Sequence, residues 1–193
     1  MATKIDICNL ALVRLNLNPI QSLTQATKEA RVLSAIYDNA LDTALRAHPW
    51  NFATRAATLA LLPEEHPRWT YVYACPQDCV WAREIYNPRS RVEKIEFEIA
   101  RGAAGRVVLT DEEQATLVYT ERVTNPSEYD QLFISALAYA LAAEMAVAIK
   151  GNAQLQAQMA NFYRQNVDQA RAVDSAEGRR DPDDFCAYME ARK

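Results

Sequence analysis

Glycine is scarce in this chain: Gly102, Gly105, Gly151 and Gly178 are the only four in 193 residues. A phosphate-cradling loop needs clustered glycines so that backbone N–H groups can close on the ligand. Neither G-x-G-x-x-G nor G-x-x-x-x-G-K-[ST] occurs, which excludes the usual nucleotide-binding enzymes. Histidine is scarcer still, with His48 and His66 alone. Four cysteines, Cys8, Cys75, Cys79 and Cys186, are too few and too scattered for a secreted disulfide scaffold. A basic block is missing as well: 21 Lys and Arg stand against 25 Asp and Glu, a net charge of −4. Tight sequence-independent grip on a DNA backbone is therefore disfavoured. The N-terminus, Met1-Ala-Thr-Lys-Ile-Asp6, lacks the charged-then-apolar run of a signal peptide, which predicts a soluble protein made in a reducing compartment.

Apolar residues make up half of the chain, enough for a well-filled core. Thr3 is placed to cap a first helix, with Asp6 in capping-box position and Cys8, Ala11, Leu12 and Leu15 forming its stripe. The stretch Asn16–Ile20 ends that helix, because the residue before Pro19 avoids the helical basin. A second helix is expected from Thr27, with Ala30, Leu33, Ile36, Tyr37, Ala40, Leu41, Ala44 and Leu45 at helical spacing, closed by His48-Pro49. At Trp50 the period becomes two: Trp50, Phe52, Thr54, Ala56, Thr58 and Ala60 fall on one face of an expected strand. Shorter strand-like runs follow at 69–73, 80–86, 92–99, 106–109 and 115–123, separated by proline, glycine and acidic turns. Helix returns after Asn125-Pro126 and runs to Lys150 with Gly151 as its cap; a fourth helix opens at Asn152 and fades near Gly178. The expected class is α+β: a four-helix bundle from residues 1–49 and 125–176, an antiparallel β lobe at 50–124 inserted between helices 2 and 3, and an extended C-terminal tail at 177–193.

Candidate chemistry is thin. Cys75-Pro-Gln-Asp-Cys79 has one pair of thiols with no second pair or histidines to complete a zinc tetrahedron, and its spacing is not the C-x-x-C of a redox motif. It predicts a turn into a strand, with Cys79 buried as a small hydrophobe. His48 sits at a helix C-terminus, where a structural role suffices, and His66 lies in an exposed turn. Glu64, Glu65, Asp111, Glu112 and Glu113 read as solvated turn charges rather than a catalytic carboxylate pair. No catalytic, cofactor-binding or metal-binding residue is therefore assigned. Residues 132–149 form an apolar stretch with Glu144 near its end; it reads as a closely packed central helix rather than a membrane span, and a second subunit could cover part of it. Trp50 and Phe52, at the change of period, are expected to be buried where bundle and lobe meet. In the tail, Arg179, Arg180, Phe185, Tyr188 and Met189 are candidate partner contacts, because a short segment binds through a few large anchors.

Several landmarks together resemble the tail tubular protein A family, the head-to-tail adaptors of short-tailed phages. They are Leu-x-Pro-Ile-x-Ser-Leu at Leu17–Leu23, the long helix entered through Ala30-Arg31, the block His48-Pro-Trp-Asn-Phe-Ala53, and Tyr73-Ala-Cys-Pro-x-Asp-Cys79. The order helices, β insert, helices is similar too, over about residues 5–170. The resemblance implies a virion structural protein without a catalytic site. It also implies a dodecameric ring between the portal protein and the next tail component, the nozzle, continuing the DNA channel. DNA would pass through it without specific binding, no membrane would be involved, and assembly would take place in the host cytoplasm. The five tail residues would then be portal contacts. Two other classes remain open at this stage: a peptidoglycan-degrading tail-associated enzyme, and an α+β interaction protein unrelated to phage.

Overall fold

Capping chemistry sets most of the helix ends. In α1 (Lys4–Arg14) the Thr3 hydroxyl accepts from the Asp6 N–H at 3.2 Å, and the Asp6 carboxylate accepts from the Thr3 N–H at 2.8 Å. The helix stops before Pro19 would require: Asn16 adopts left-handed φ of 52°, and the Leu17 N–H reaches back to the Leu12 carbonyl at 3.0 Å. This is a Schellman end built on asparagine, so Asn16 rather than Pro19 terminates α1. Thr27 caps α2 (Lys28–Arg46), whose buried stripe is Ala30, Leu33, Tyr37, Ala40, Leu41, Ala44 and Leu45. Asn152 caps α4 (Ala153–Glu177), accepting from the Leu155 N–H at 2.9 Å. The computed structural model describes residues 2–90 and 93–177.

The third long helix, α3 (Gln131–Lys150), begins later than expected. Pro126–Glu128 make a separate 3-10 turn capped by Asn125, and Asp130 then starts α3 by accepting from the Leu132 N–H at 2.7 Å. Gly151 ends it at φ 59°, where a Cβ would be strained. α3 packs against α1, α2 and α4. Fully buried alanines at 11, 30, 136, 138, 142 and 146 let the backbones approach, while Leu12, Leu33, Leu41, Phe133, Leu137 and Leu141 fill the space between them. Among the described residues, α3 is the one helix long and apolar enough to cross a membrane, with a mean hydropathy of 2.0. Its last turns emerge from the helical core, leaving Val147 45% exposed.

Between α2 and α3 the chain forms two three-stranded antiparallel sheets rather than one. One has the order β1 (Thr54–Thr58), β6 (Thr116–Glu121), β3 (Cys79–Ile85); the other has the order β2 (Tyr71–Ala74), β5 (Gly105–Thr110), β4 (Phe97–Gly102). The described structure is thus mixed α+β, with four helices and two small antiparallel sheets. Leu59, Tyr73, Cys79, Ile85, Val108, Leu117 and Tyr119 pack into one core drawn from both sheets. Val72, Val107 and Leu109 pack on the second sheet's opposite face, against Leu62 and Trp69. β5 is therefore covered on both sides, which is why Val107, Val108 and Leu109 run without alternation.

Two expected strands differ. The alternation from residue 92 enters the sheet only at Phe97, because its partner β5 runs out where Phe97 faces Thr110; Ile95 instead makes a single bridge to Ile85 of the other sheet. The strand expected from Trp50 begins at Thr54, after a 3-10 turn over Asn51–Ala53. The Trp50 carbonyl holds that turn by accepting from the Ala53 N–H at 3.2 Å and from the Thr54 hydroxyl at 2.6 Å.

Candidate functional site at the Trp50 junction

The block His48–Ala53 carries the chain from α2 into β1, and its aromatics decide how that happens. The Trp50 N–H donates to the His48 carbonyl at 2.9 Å, and the Trp50 indole Nε1–H donates at 2.9 Å to the Ala44 carbonyl, which also accepts from the Ala47 N–H at 3.2 Å at the end of α2. The indole meets Phe133 of α3 edge-on at 5.1 Å and His48 at 5.0 Å. Phe52 packs on Phe133 at 4.9 Å and on Tyr129 at 5.7 Å. The Tyr129 hydroxyl donates to the Val123 carbonyl at 2.8 Å, so the chain leaving β6 joins the same cluster. Trp50 is 1% exposed and belongs to the helical core; Phe52 is half-buried at its margin, because the 3-10 turn presents only one side of its ring to Phe133 and Tyr129.

Ion pairs continue the junction outward. Arg122, just after β6, reaches Asp42 of α2 at 2.6 Å and Asp38 at 3.6 Å, and its backbone N–H donates to the Asp78 carbonyl at 2.7 Å. Asp38 also meets Lys4 of α1 at 3.5 Å. Arg55 of β1 bridges Glu121 at 2.7 Å and Asp78 at 3.4 Å, and Asp78 accepts from the Tyr119 hydroxyl at 3.1 Å. Burial pushes the Tyr119 phenol up to about 12. These pairs are partly exposed and individually weak, so their effect is orientation: they tie α1, α2, β1, β6 and the turn before β3 to one another. The Arg171 guanidinium of α4 donates to the Ala47 carbonyl, joining the fourth helix to the same corner.

No protein-family model and no curated protein matches this chain.

The expected tail contacts Arg179, Arg180, Phe185, Tyr188 and Met189 lie outside the described residues. Three of the acidic turn residues have partners of their own. Glu64 accepts weakly from the Ala103 N–H at 3.4 Å, and Glu112 pairs with Arg89 at 3.9 Å. Asp111 accepts from the Thr70 N–H and hydroxyl at 2.8 and 2.7 Å, which holds its carboxyl below the usual carboxylate range. That direction is opposite to what a general acid needs. His66 is half-buried, and its Nδ1 accepts from the Arg68 N–H at 3.3 Å. Among the described residues no three His, Cys, Asp or Glu side chains gather as a metal site would require.

Two clefts lie elsewhere on the described structure. One of about 410 Å³ lies between α2, α3 and α4, walled by Ala40, Ala140, Ala143, Ala157 and Ala160 with Tyr163 and Glu144 at its edge. The other, about 550 Å³, opens between the sheets and is lined by Leu59, Ala74, Cys75 and Arg106 among others. Sequence reasoning missed two polar clasps. Asn9 exchanges hydrogen bonds with both backbone groups of Ile20, at 2.8 and 3.0 Å, pinning the loop after α1. Arg14 stacks on Tyr139 at 3.4 Å and donates to Ser135, which in turn donates to Asn166 of α4. Nothing local marks these residues, since each partner comes from elsewhere in the chain.

Proposed function

We propose that this chain is a virion structural protein, a head-to-tail adaptor of the kind that its sequence resembles. In this reading residues 1–49 and 125–176 act as one helical bundle, residues 50–124 as an inserted lobe, and residues 177–193 as an arm. Twelve copies form a ring between portal protein and tail nozzle, assembled in the host cytoplasm, through which DNA passes. The chain performs no catalysis and carries no cofactor or metal in this role.

The observation that supports the reading most is the place of the His48–Ala53 block. It is among the segments carrying the resemblance, and its aromatics join the end of α2, the entry to β1 and the start of α3. A ring component that bears load along the channel needs its helical and sheet parts held in fixed relation. The acidic balance suits a surface past which a polyanion slides.

The test is the mass of the full chain alone, of portal alone, and of the two mixed. A complex of portal mass plus twelve chains supports the adaptor reading, and an unchanged portal overturns it. A chain lacking residues 179–193 tests the arm in the same mixture. Loss of attachment places portal contacts among Arg179, Arg180, Phe185, Tyr188 and Met189, and undiminished attachment removes them from that role.

A further inference from the structure

The turn between β2 and β3 carries two thiols whose meeting the adaptor reading does not use. The chain crosses from one sheet to the other over Cys75-Pro-Gln-Asp-Cys79, and the Cys79 N–H closes the turn on the Pro76 carbonyl at 3.1 Å. Arg106 of β5 clasps both ends. Its carbonyl accepts from the Cys75 N–H at 3.1 Å, and its guanidinium donates to the Cys79 carbonyl at 2.8 Å. The two thiols share this one turn, close enough that each moves the other's titration, Cys75 downward and Cys79 upward. Their exposures differ. Cys75 is half-buried on the wall of the 550 Å³ cleft, while Cys79 is 4% exposed and packed among Leu59, Tyr73, Leu117 and Tyr119.

We propose that Cys75 and Cys79 form a thiol–disulfide exchange site, with Cys75 attacking a small disulfide in the cleft and Cys79 resolving the product. The C-x-x-C spacing that sequence reasoning required is not needed here, because the turn and Arg106 supply the proximity. In the first step the Cys75 thiolate attacks one sulfur of R–S–S–R, forming a Cys75–S–S–R mixed disulfide and releasing one thiolate. In the second, Cys79 gives up its proton, its sulfur attacks the Cys75 sulfur, and the second thiolate leaves. Two protein thiols are oxidised to one disulfide and one small disulfide is reduced to two thiols; the Cys79 proton passes to one released thiolate, and the other regains from water the proton that Cys75 gave up on ionising.

The electrostatics fit this division of labour. The neighbouring Cys79 thiol, and then the Arg106 cation, draw the Cys75 thiol below its ordinary value against the opposing effects of burial and Asp78. Cys75 is therefore the more readily ionised of the two thiols, and the thiolate is the attacking form. The same contact raises the Cys79 thiol, so Cys79 waits until Cys75 has reacted. A cleft of this size lies in the range of small-molecule sites, and Arg106 on its wall suits an anionic thiol compound.

The probe is glutathione disulfide, applied near neutral pH to the reduced full chain and followed by acid quench, alkylation and peptide mass mapping. The expected result is a Cys75–Cys79 disulfide, seen as the loss of two hydrogens in the peptide holding both residues, with two equivalents of glutathione released per chain. The fully buried Cys8 stays alkylatable only after unfolding. A lasting glutathione adduct on Cys75 with Cys79 still free would overturn the proposal, as would a bond from Cys75 to Cys8 or Cys186, or no reaction at all. Cys79→Ser is expected to stop at the Cys75 mixed disulfide, and a Cys79→Ser chain that collects no adduct while folded counts against Cys75 as the attacking group.

Discussion

Two buried aromatic residues show what a polar atom is worth in this core. Trp50 has its indole N–H satisfied by the Ala44 carbonyl and its rings against Phe133. Removing the ring in Trp50→Ala opens a cavity beside Phe133, so urea denaturation should read a loss on the order of 3–5 kcal/mol at unchanged m-value. Tyr37 of α2 is equally buried, but its hydroxyl has no hydrogen-bond partner among the described residues. Burial pushes its phenol well above the ordinary value. Tyr37→Phe removes an unsatisfied buried group while keeping the ring, so it should leave stability unchanged or raise it by about 1 kcal/mol. A loss of more than about 1 kcal/mol in that variant would mean that the hydroxyl makes a bond in solution.

At the scale of the element, the ends of helices respond to pH in a way that the capping chemistry fixes. Hydrogen bonds from the Thr3 side chain and backbone hold the Asp6 carboxyl below its ordinary value of 3.8. A depressed carboxylate contributes stability that is complete above its unfolded value and lost as pH falls through the lower folded one. The gap in stability between the natural chain and Thr3→Ala should therefore be widest above about pH 4 and narrow below it to the part carried by the Asp6 N–H on the Thr3 hydroxyl, which does not titrate; thermal melts from pH 7 to pH 2 check this. These caps, with Thr27, Gly151 and Asn152, were legible in the sequence because each acts on its own next turn. The stripe of α2 was legible for the same reason. What lay hidden was anything set by a distant partner. The strand from residue 92 is cut short by where β5 ends, and the turn at Asn51–Ala53 is dictated by an indole bonding back to α2. Asn16 closes α1 through a left-handed conformation that competes unseen with the more conspicuous Pro19. The thiols of Cys75 and Cys79 were visible as a pair, but Arg106, which clasps their turn, comes from a strand almost thirty residues on.

At the scale of the whole molecule the adaptor reading makes a demand on charge. A channel component must let duplex DNA slide, and sliding fails where cations grip phosphates. Non-specific binders reach dissociation constants of roughly 10⁻⁴–10⁻⁶ M at physiological salt by pairing several Lys and Arg with the backbone. This chain has a net charge of −4, and several of its arginines are already engaged. Arg55 faces Glu121 and Asp78, Arg122 faces Asp42 and Asp38, and Arg68 faces Glu98. Arg14 is folded into the contact between α1 and α3, where it lies over Tyr139. A labelled DNA duplex should accordingly show no rise in fluorescence anisotropy with up to about 100 μM chain at about 0.15 M salt. Lowering the salt about tenfold lengthens the Debye screening distance to about 30 Å and should strengthen repulsion rather than create binding. Micromolar association that steepens as salt falls would turn the reading from a passive channel wall toward a DNA-gripping protein.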